Sequence, residues 1–451
     1  MSAKQTGRRA GQGAFVAVLC LLTAAGYGSA EAQSSDTKWW ESLFDAPGSA
    51  KRREADAAKH QRQPEKDVVR DLREDATPWR SDTMIEQMDK AVARYHKIVA
   101  RGGWQTIPKG RTLRLGDDDE RVYPLRGRLV MTGDLPAHAA TESYSLDETV
   151  EAGLKKFQDR HGLRLTGRLD PPTLAQLNVS AFDRLEQLKL NQRRIRELLQ
   201  IRIEDRYILV NAAAFQLEAV EGYEVQQRHR VIVGKPDRQT PTVRATIRAL
   251  NFFPYWRVPE SVATLDLIPR LRKEPDYLSK EQIRVFNGTY SDRAEIDPAN
   301  IDWRHVDPTR IKFRQDPGPQ NALGLVRIDM PNEHTVYMHD TPMKPLFNQR
   351  ERAFSAGCVR VQDVFKLVTW IARQEPGWQA ETRVYDTIES GQASDVTLTR
   401  PIPVYFTYLT AWAEPRGRIE FRPDIYNRDG SREFAGERDP DAPPPPQTLA
   451  P

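Results

Sequence analysis

Cys358 sits in the run Ser355-Ala356-Gly357-Cys358-Val359-Arg360-Val361, nineteen residues after His339. Those residue types could run thiol chemistry. A sulfur nucleophile needs a thiolate, a base to form it and amide donors for the oxyanion that follows attack on a carbonyl. His339 can take the thiol proton, the backbone at Gly357 can approach a reacting carbonyl, and Arg360 can place a fixed positive charge near the thiolate or a substrate carboxylate. Each residue alone has a duller explanation, since a strand-end histidine is often structural, a glycine often only satisfies a turn, and a lone cysteine is often a small buried hydrophobe. Their combination favours catalysis, and a catalytic Cys358 would label rapidly with a thiol reagent at neutral pH.

The flanking text gives these residues a scaffold. Thr335 to Pro342 reads as a strand running into a turn, with Thr335, Tyr337 and His339 on one face and His334, Val336 and Met338 on the other. A helix opened by Asp363 follows the cysteine, with Val364, Leu367, Val368 and Ile371 inward. Upstream, Met84, Met88, Val92 and Tyr95 mark an amphipathic helix over 81–99, and Leu185, Leu188, Ile195, Leu198 and Leu199 mark another over 181–199. Between them a compact helical unit covers 119–180. After Glu204 the period changes to alternation (Tyr207 to Val210, Arg230 to Gly234, Gly324 to Asp329), so the chemistry sits in a β-rich domain over 204–388. Residues 258–318 interrupt that domain with Pro- and charge-rich text, including a helical 261–271, as a lid or substrate-gripping insert would.

The ends carry different signals. Lys4, Arg8 and Arg9, the apolar Ala14 to Ala25 and then Ala30-Glu31-Ala32 read as a signal peptide cleaved after Ala32. Twelve apolar residues fall short of the roughly 20 that span a bilayer. The mature chain would lie in the periplasm and keep Cys358 alone, because Cys20 leaves with the signal. Residues 33–80 read as a flexible tether, 81–118 and 181–203 as two parts of a helical scaffold, and 389–451 as a C-terminal extension ending in a disordered, proline-rich tail. The whole chain has 451 residues, 29% of them charged and 39% hydrophobic, with a net charge of +4. Losing residues 1–32 leaves +2, which argues against a dedicated nucleic-acid binder.

The pairing of His339-Asp340-Thr341-Pro342 with Phe347, Arg352 and Ser355 to Val361 resembles the signature of the L,D-transpeptidases with a YkuD-type catalytic domain. Gly234 to Pro241, Asn251 to Pro259 and Tyr408 to Trp412 resemble the long YcbB-type subclass, so the likeness covers about residues 81–430. Within 119–180, Ala152 to Leu163 with Gly167, Asp170 and Leu177-Asn178 resembles a small peptidoglycan-binding domain. The implied fold class is multidomain α+β: a β-rich YkuD-type domain with a capping insert, a helical scaffold and a small all-α binding domain. Many members carry a second His where Ala356 stands, which places the base role on His339.

The resemblance implies a ping-pong reaction on peptidoglycan stem tetrapeptides, with Cys358 as nucleophile, His339 as general base, Gly357 giving an oxyanion amide alongside Cys358, and Arg360 positioning. Tyr337, Ser355, Trp256, Tyr255 and Arg352 are the substrate-binding candidates. The product would be a three-to-three cross-link; an envelope protein could serve instead as acceptor, and a non-catalytic wall-binding protein is the third reading. No metal or organic cofactor is expected. Competing wall chemistries lack their signatures: the S-x-x-K at Ser35 to Lys38 has no K-T-G partner, and H-E-x-x-H and G-x-S-x-G are absent.

Overall fold

Ser81 adopts an extended backbone, and its side chain accepts a hydrogen bond from the Met84 amide, so helix α1 (Asp82–Ala100) starts one residue later. It buries Met84, Met88, Ala91 and Tyr95 on one stripe. The computed structural model describes residues 71–201 and 204–430. The expected signal peptide and the tail beyond 430 lie outside the described residues. Next come α2 (Val122–Thr132), α3 (Glu148–Arg160) and α4 (Pro171–Leu177). Asp147 and Asp170 cap α3 and α4 by accepting from the Val150 and Thr173 amides. These helices enclose their own core of Leu125, Leu129, Val150, Leu154, Phe157 and Leu177. Helix α5 (Ala181–Gln200), capped by Ser180, then packs Leu185, Leu188 and Ile195 against α1.

The strands are β1 (Arg206–Asn211), β2 (Gln216–Glu221), β3 (Glu224–Gly234), β4 (Val243–Phe252), β5 (Trp256–Arg257), β6 (Ile283–Asn287), β7 (Ile311–Gln315), β8 (Val326–Asp329), β9 (Met338–His339), β10 (Ala353–Ser355), β11 (Val359–Val361), β12 (Ser394–Thr407), β13 (Ala411–Ala413) and β14 (Ile419–Phe421). The main sheet runs β10-β3-β11-β9-β8-β4-β12-β1-β2, and β2 also pairs with β3, so eight strands close a circuit. Its inner face buries Ile208, Val210, Val231, Ile247, Ile328, Met338, Val359 and Val361. Helix α6 (Val364–Ala372) seats Val364, Leu367, Val368 and Ile371 on that core.

β12 lies outside the expected 204–388 boundary yet stands between β4 and β1. Its second half alternates Ile402, Val404 and Phe406 inward, a two-residue period that belongs to the sheet core rather than to an extension. The first half pairs with β4 after a register irregularity between Thr397 and Ile402, leaving Ser394 and Asp395 exposed. The architecture is mixed α+β.

Residues 256–315 build a second sheet, β5-β7-β6, over a core of Trp256, Val258, Leu267, Leu271 and Phe313. The single helix expected over 261–271 is instead broken into Glu260–Val262, a π-helical turn Ala263–Leu267, and Ile268–Leu271. Pro269 has no N–H to give the preceding turn, which accounts for the break.

Two further expectations change. Residues 71–80 of the expected tether are held down: Arg73 meets Glu218, Arg80 meets Glu204, and Trp79 is fully buried. Asp363 opens α6 in the left-handed region (φ 49°) without a side-chain cap bond. No helix among the described residues is long and apolar enough to cross a membrane.

Candidate active site

β9 and β11 run parallel, with Met338 opposite Val359 and His339 opposite Arg360. The Val359 amide donates to the Tyr337 carbonyl at 3.0 Å. Alternation then sends Met338, Val359 and Val361 into the core and leaves Tyr337, His339, Cys358 and Arg360 together on the opposite face. A one-residue slip would turn the polar set into the apolar core of the sheet, so the apolar residues fix the register of the chemical ones. The row continues across the sheet: His339 is in register with Arg327 on β8, Arg327 with Asn251 on β4, and Asn251 with Asp395 on β12.

The turn carrying Cys358 depends on Gly357, whose φ of 123° is in a region that disfavours side chains. Ser355 fastens both ends of this turn: its hydroxyl donates to the Cys358 carbonyl at 2.5 Å and accepts from the Gly357 amide at 3.1 Å. Thr240 locks it from behind, donating to the Gly357 carbonyl and accepting from the Gly234 amide, each at 2.8 Å. This corrects the sequence expectation for Gly357. Its N–H is committed to Ser355, so it does not supply an oxyanion donor here; the Cys358 amide makes no hydrogen bond among the described residues and is the donor left to face a reacting carbonyl.

His339 is buried, and its Nδ1 lies 2.6 Å from the Asp340 carbonyl. A carbonyl only accepts, so Nδ1 carries the hydrogen and Nε2 is the basic atom of the neutral ring. Burial, and then the Arg360 charge, pushes its pKa down to about 3, against the pull of the Asp340 and Leu323 carbonyls toward the imidazolium. Burial pushes the Cys358 thiol above its ordinary value of 9.0, although Tyr337, Arg360 and Arg327 all favour the thiolate. Arg360 is itself lowered to about 9 by burial, with Cys358 opposing. The resting pair is therefore thiol and neutral imidazole. Burial thus works against the thiolate that rapid labelling at neutral pH would need.

Tyr337 joins the nucleophile to the second sheet. Its side chain acts electrostatically on Cys358 and packs with Trp256 along the cleft, and its ring lies 5.7 Å from that of His339. Trp256, Tyr255, Tyr337 and Arg327 line a cleft of about 710 Å³ between the two sheets. Half-exposed Tyr255 is held under the Arg314 guanidinium. Ala356 is exposed on the turn that carries Cys358.

Arg352 does not join them. Fully buried, it gives Nη2 to Asp71 at 2.6 Å and to the Phe215 carbonyl at 3.1 Å, and Nη1 to the Gln349 carbonyl at 2.7 Å. Its donors are spent on structure, which corrects its assignment to substrate. Sequence reading also missed Arg327, Asn251 and Asp395; the alternation of β8 puts Arg327 outward between Val326 and Ile328, but only strand pairing aligns the three. Among the described residues no group of three or more His, Cys, Asp or Glu is placed to hold a metal ion.

Residues 205–386 match the L,D-transpeptidase catalytic domain family, YkuD. A protein of Haemophilus influenzae named "Putative L,D-transpeptidase" is 32% identical over 261 residues, covering 57% of this chain and 50% of the relative. The chain thus spans about half the length of that relative. Crystal structures of L,D-transpeptidases from Stackebrandtia nassauensis (14% identity, TM-score 0.25, 65% of this chain and 94% of the other) and Xylanimonas cellulosilytica (15%, 0.18, 66% and 98%) overlap with it.

Proposed function

We propose that this chain, whose residues 205–386 match the YkuD L,D-transpeptidase catalytic domain family, cross-links peptidoglycan stem peptides through a thioester on Cys358. The observation that carries the reading is the matched register of β9 and β11, which puts His339 and Cys358 on one face beside a cleft. In the first half-reaction His339 Nε2 takes the thiol proton as sulfur attacks the carbonyl of a diamino acid at stem position three. The oxyanion is stabilised by the Cys358 amide and the Arg360 charge. The C–N bond then breaks, and D-Ala leaves with the proton returned by His339. In the second half a side-chain amine of a neighbouring stem attacks the thioester and gives a proton to His339. The C–S bond breaks and the thiolate is reprotonated. Neutral His339 suits both halves, because a base must be unprotonated when each nucleophile arrives.

The segments around this centre take supporting roles in the same reading. Residues 256–315 cap the donor cleft, 119–180 hold the enzyme on peptidoglycan, and residues 1–32 export it to the periplasm. A carbapenem tests the nucleophile: a stable mass adduct is expected on the wild type and not on Cys358→Ala. An adduct that survives the substitution would overturn the assignment.

A further inference from the structure

One cation belongs both to the cleft and to the surroundings of the nucleophile. Arg327 lines the cleft, with its side chain 32% exposed. Three contacts fix its guanidinium: Nε donates to Asn251 Oδ1 at 3.1 Å, Nη2 donates to Asp329 Oδ1 at 2.8 Å, and the Tyr337 ring centroid lies 5.3 Å away. Nη1 makes no hydrogen bond among the described residues, so one N–H edge is held in place without a partner. β8 is separated from β11 by β9 alone. Two strand spacings of about 4.8 Å therefore part the backbones of Arg327 and Cys358. The Arg327 charge acts on both Cys358 and His339.

The other cations fit this place less well. Lys312 lies 3.7 Å from Glu260, Arg257 stacks over Tyr290, and both belong to the second sheet rather than to the row that holds the nucleophile. Arg360 is buried and does not line the cleft.

We propose that Arg327 reads the terminal carboxylate of the donor peptide, so that the enzyme selects donors ending one residue beyond the carbonyl attacked. The proposal rests on the transpeptidase reading above. Consecutive Cα atoms lie about 3.8 Å apart, so a carboxylate one residue past the scissile carbonyl would lie within about two strand spacings of Cys358, the separation of Arg327 from it across β9. A planar guanidinium with one corner held by Asp329 presents its remaining N–H groups to one more carboxylate in a defined direction. A donor extended by a residue, or ending in an amide, would leave that edge facing a neutral group.

The test compares D-Ala release from a soluble disaccharide tetrapeptide with D-alaninamide release from its C-terminal amide, for the full-length wild type, Arg327→Gln and Arg327→Lys. The wild type should prefer the acid in kcat/KM by roughly 10- to 100-fold, the worth of a hydrogen bond to a charged group. Arg327→Gln should bring the ratio close to one, and Arg327→Lys should keep part of it. A purely structural role would lower both rates and leave the ratio unchanged, and that result overturns the proposal. A second arm needs no turnover: the ratio of Cys358 alkylation rates by iodoacetate and by iodoacetamide should fall several-fold in Arg327→Gln. If the wild type releases nothing from either peptide, the transpeptidase reading fails, and the alkylation ratio alone decides whether Arg327 draws a carboxylate to the sulfur.

Discussion

Asp71→Asn should destabilise the protein although residue 71 lies far outside the matched catalytic domain. Asp71 Oδ2 accepts from Arg352 Nη2 and Oδ1 from Arg230 Nε, both at 2.6 Å. Arg352 has no solvent exposure, and Asp71 is its charged partner. Burial works to raise the Asp71 pKa, but the Arg352 charge and the Arg230 bond outweigh it and hold the carboxyl below its ordinary 3.8. Removing one member of a buried pair typically costs 3–5 kcal/mol; because Arg352 keeps three backbone carbonyls, about 3 kcal/mol is the better figure. Urea unfolding at pH 7 should show this loss. The sign with pH follows from the lowered carboxyl: its stabilisation is present above 3.8 and disappears as pH falls through the folded pKa, so wild type and Asp71→Asn should converge in acid. Arg352→Met added to Asp71→Asn should recover part of the loss, since no buried cation then lacks its partner. An Asp71→Asn protein within about 0.5 kcal/mol of wild type at pH 7 would refute this reasoning.

Other consequences of the site can be measured directly. His339→Ala should lower kcat by roughly 10²- to 10⁴-fold, and single-turnover acylation by a carbapenem should slow with it, because the same base takes the thiol proton; an unchanged acylation rate would contradict the base role. With His339 held to about 3, the pH profile of kcat/KM should show no acid limb near 6.5, whereas Arg360→Gln should raise the imidazole pKa and move a limb toward that value; a wild-type limb at 6.5 would contradict the buried neutral base. Iodoacetamide labelling of Cys358 should climb about tenfold per pH unit from 7 to 9, and a plateau at neutral pH would contradict the protonated thiol. Ser355→Ala should cost about tenfold in kcat, the equivalent of one hydrogen bond, because both ends of the nucleophile turn lose their fastening; unchanged kcat would show the turn to be held by Thr240 alone.

The reacting pair was legible because its chemistry is local: a cysteine, a glycine before it, an arginine after it and a histidine at a strand end are visible as letters. The partners that tune the pair were not. β9 has only two residues, too short for periodicity to define, and its register with β11 comes from burial of Met338, Val359 and Val361 rather than from any turn. Asn251, Arg327 and Asp395 form a row only once three strands are laid side by side. Asp71 and Arg352 stand 281 positions apart, and nothing around Asp71 distinguishes a docked acid from one in a charged tether. The helical unit over 119–180 shows the same limit. Its own core was readable, but His161 stacks between Phe157 at 3.8 Å and Phe421 at 5.3 Å, and Arg418 reaches Asp159 at 2.8 Å, so that unit is packed onto β14. Contacts between distant segments leave no mark in either one alone.

The central claim is that Cys358 forms a thioester which a second stem resolves, and products from a soluble disaccharide tetrapeptide test it most directly by mass. A dimer lacking one D-Ala should be made by the wild type and not by Cys358→Ala. Release of D-Ala by Cys358→Ala, or no release by the wild type, would contradict it.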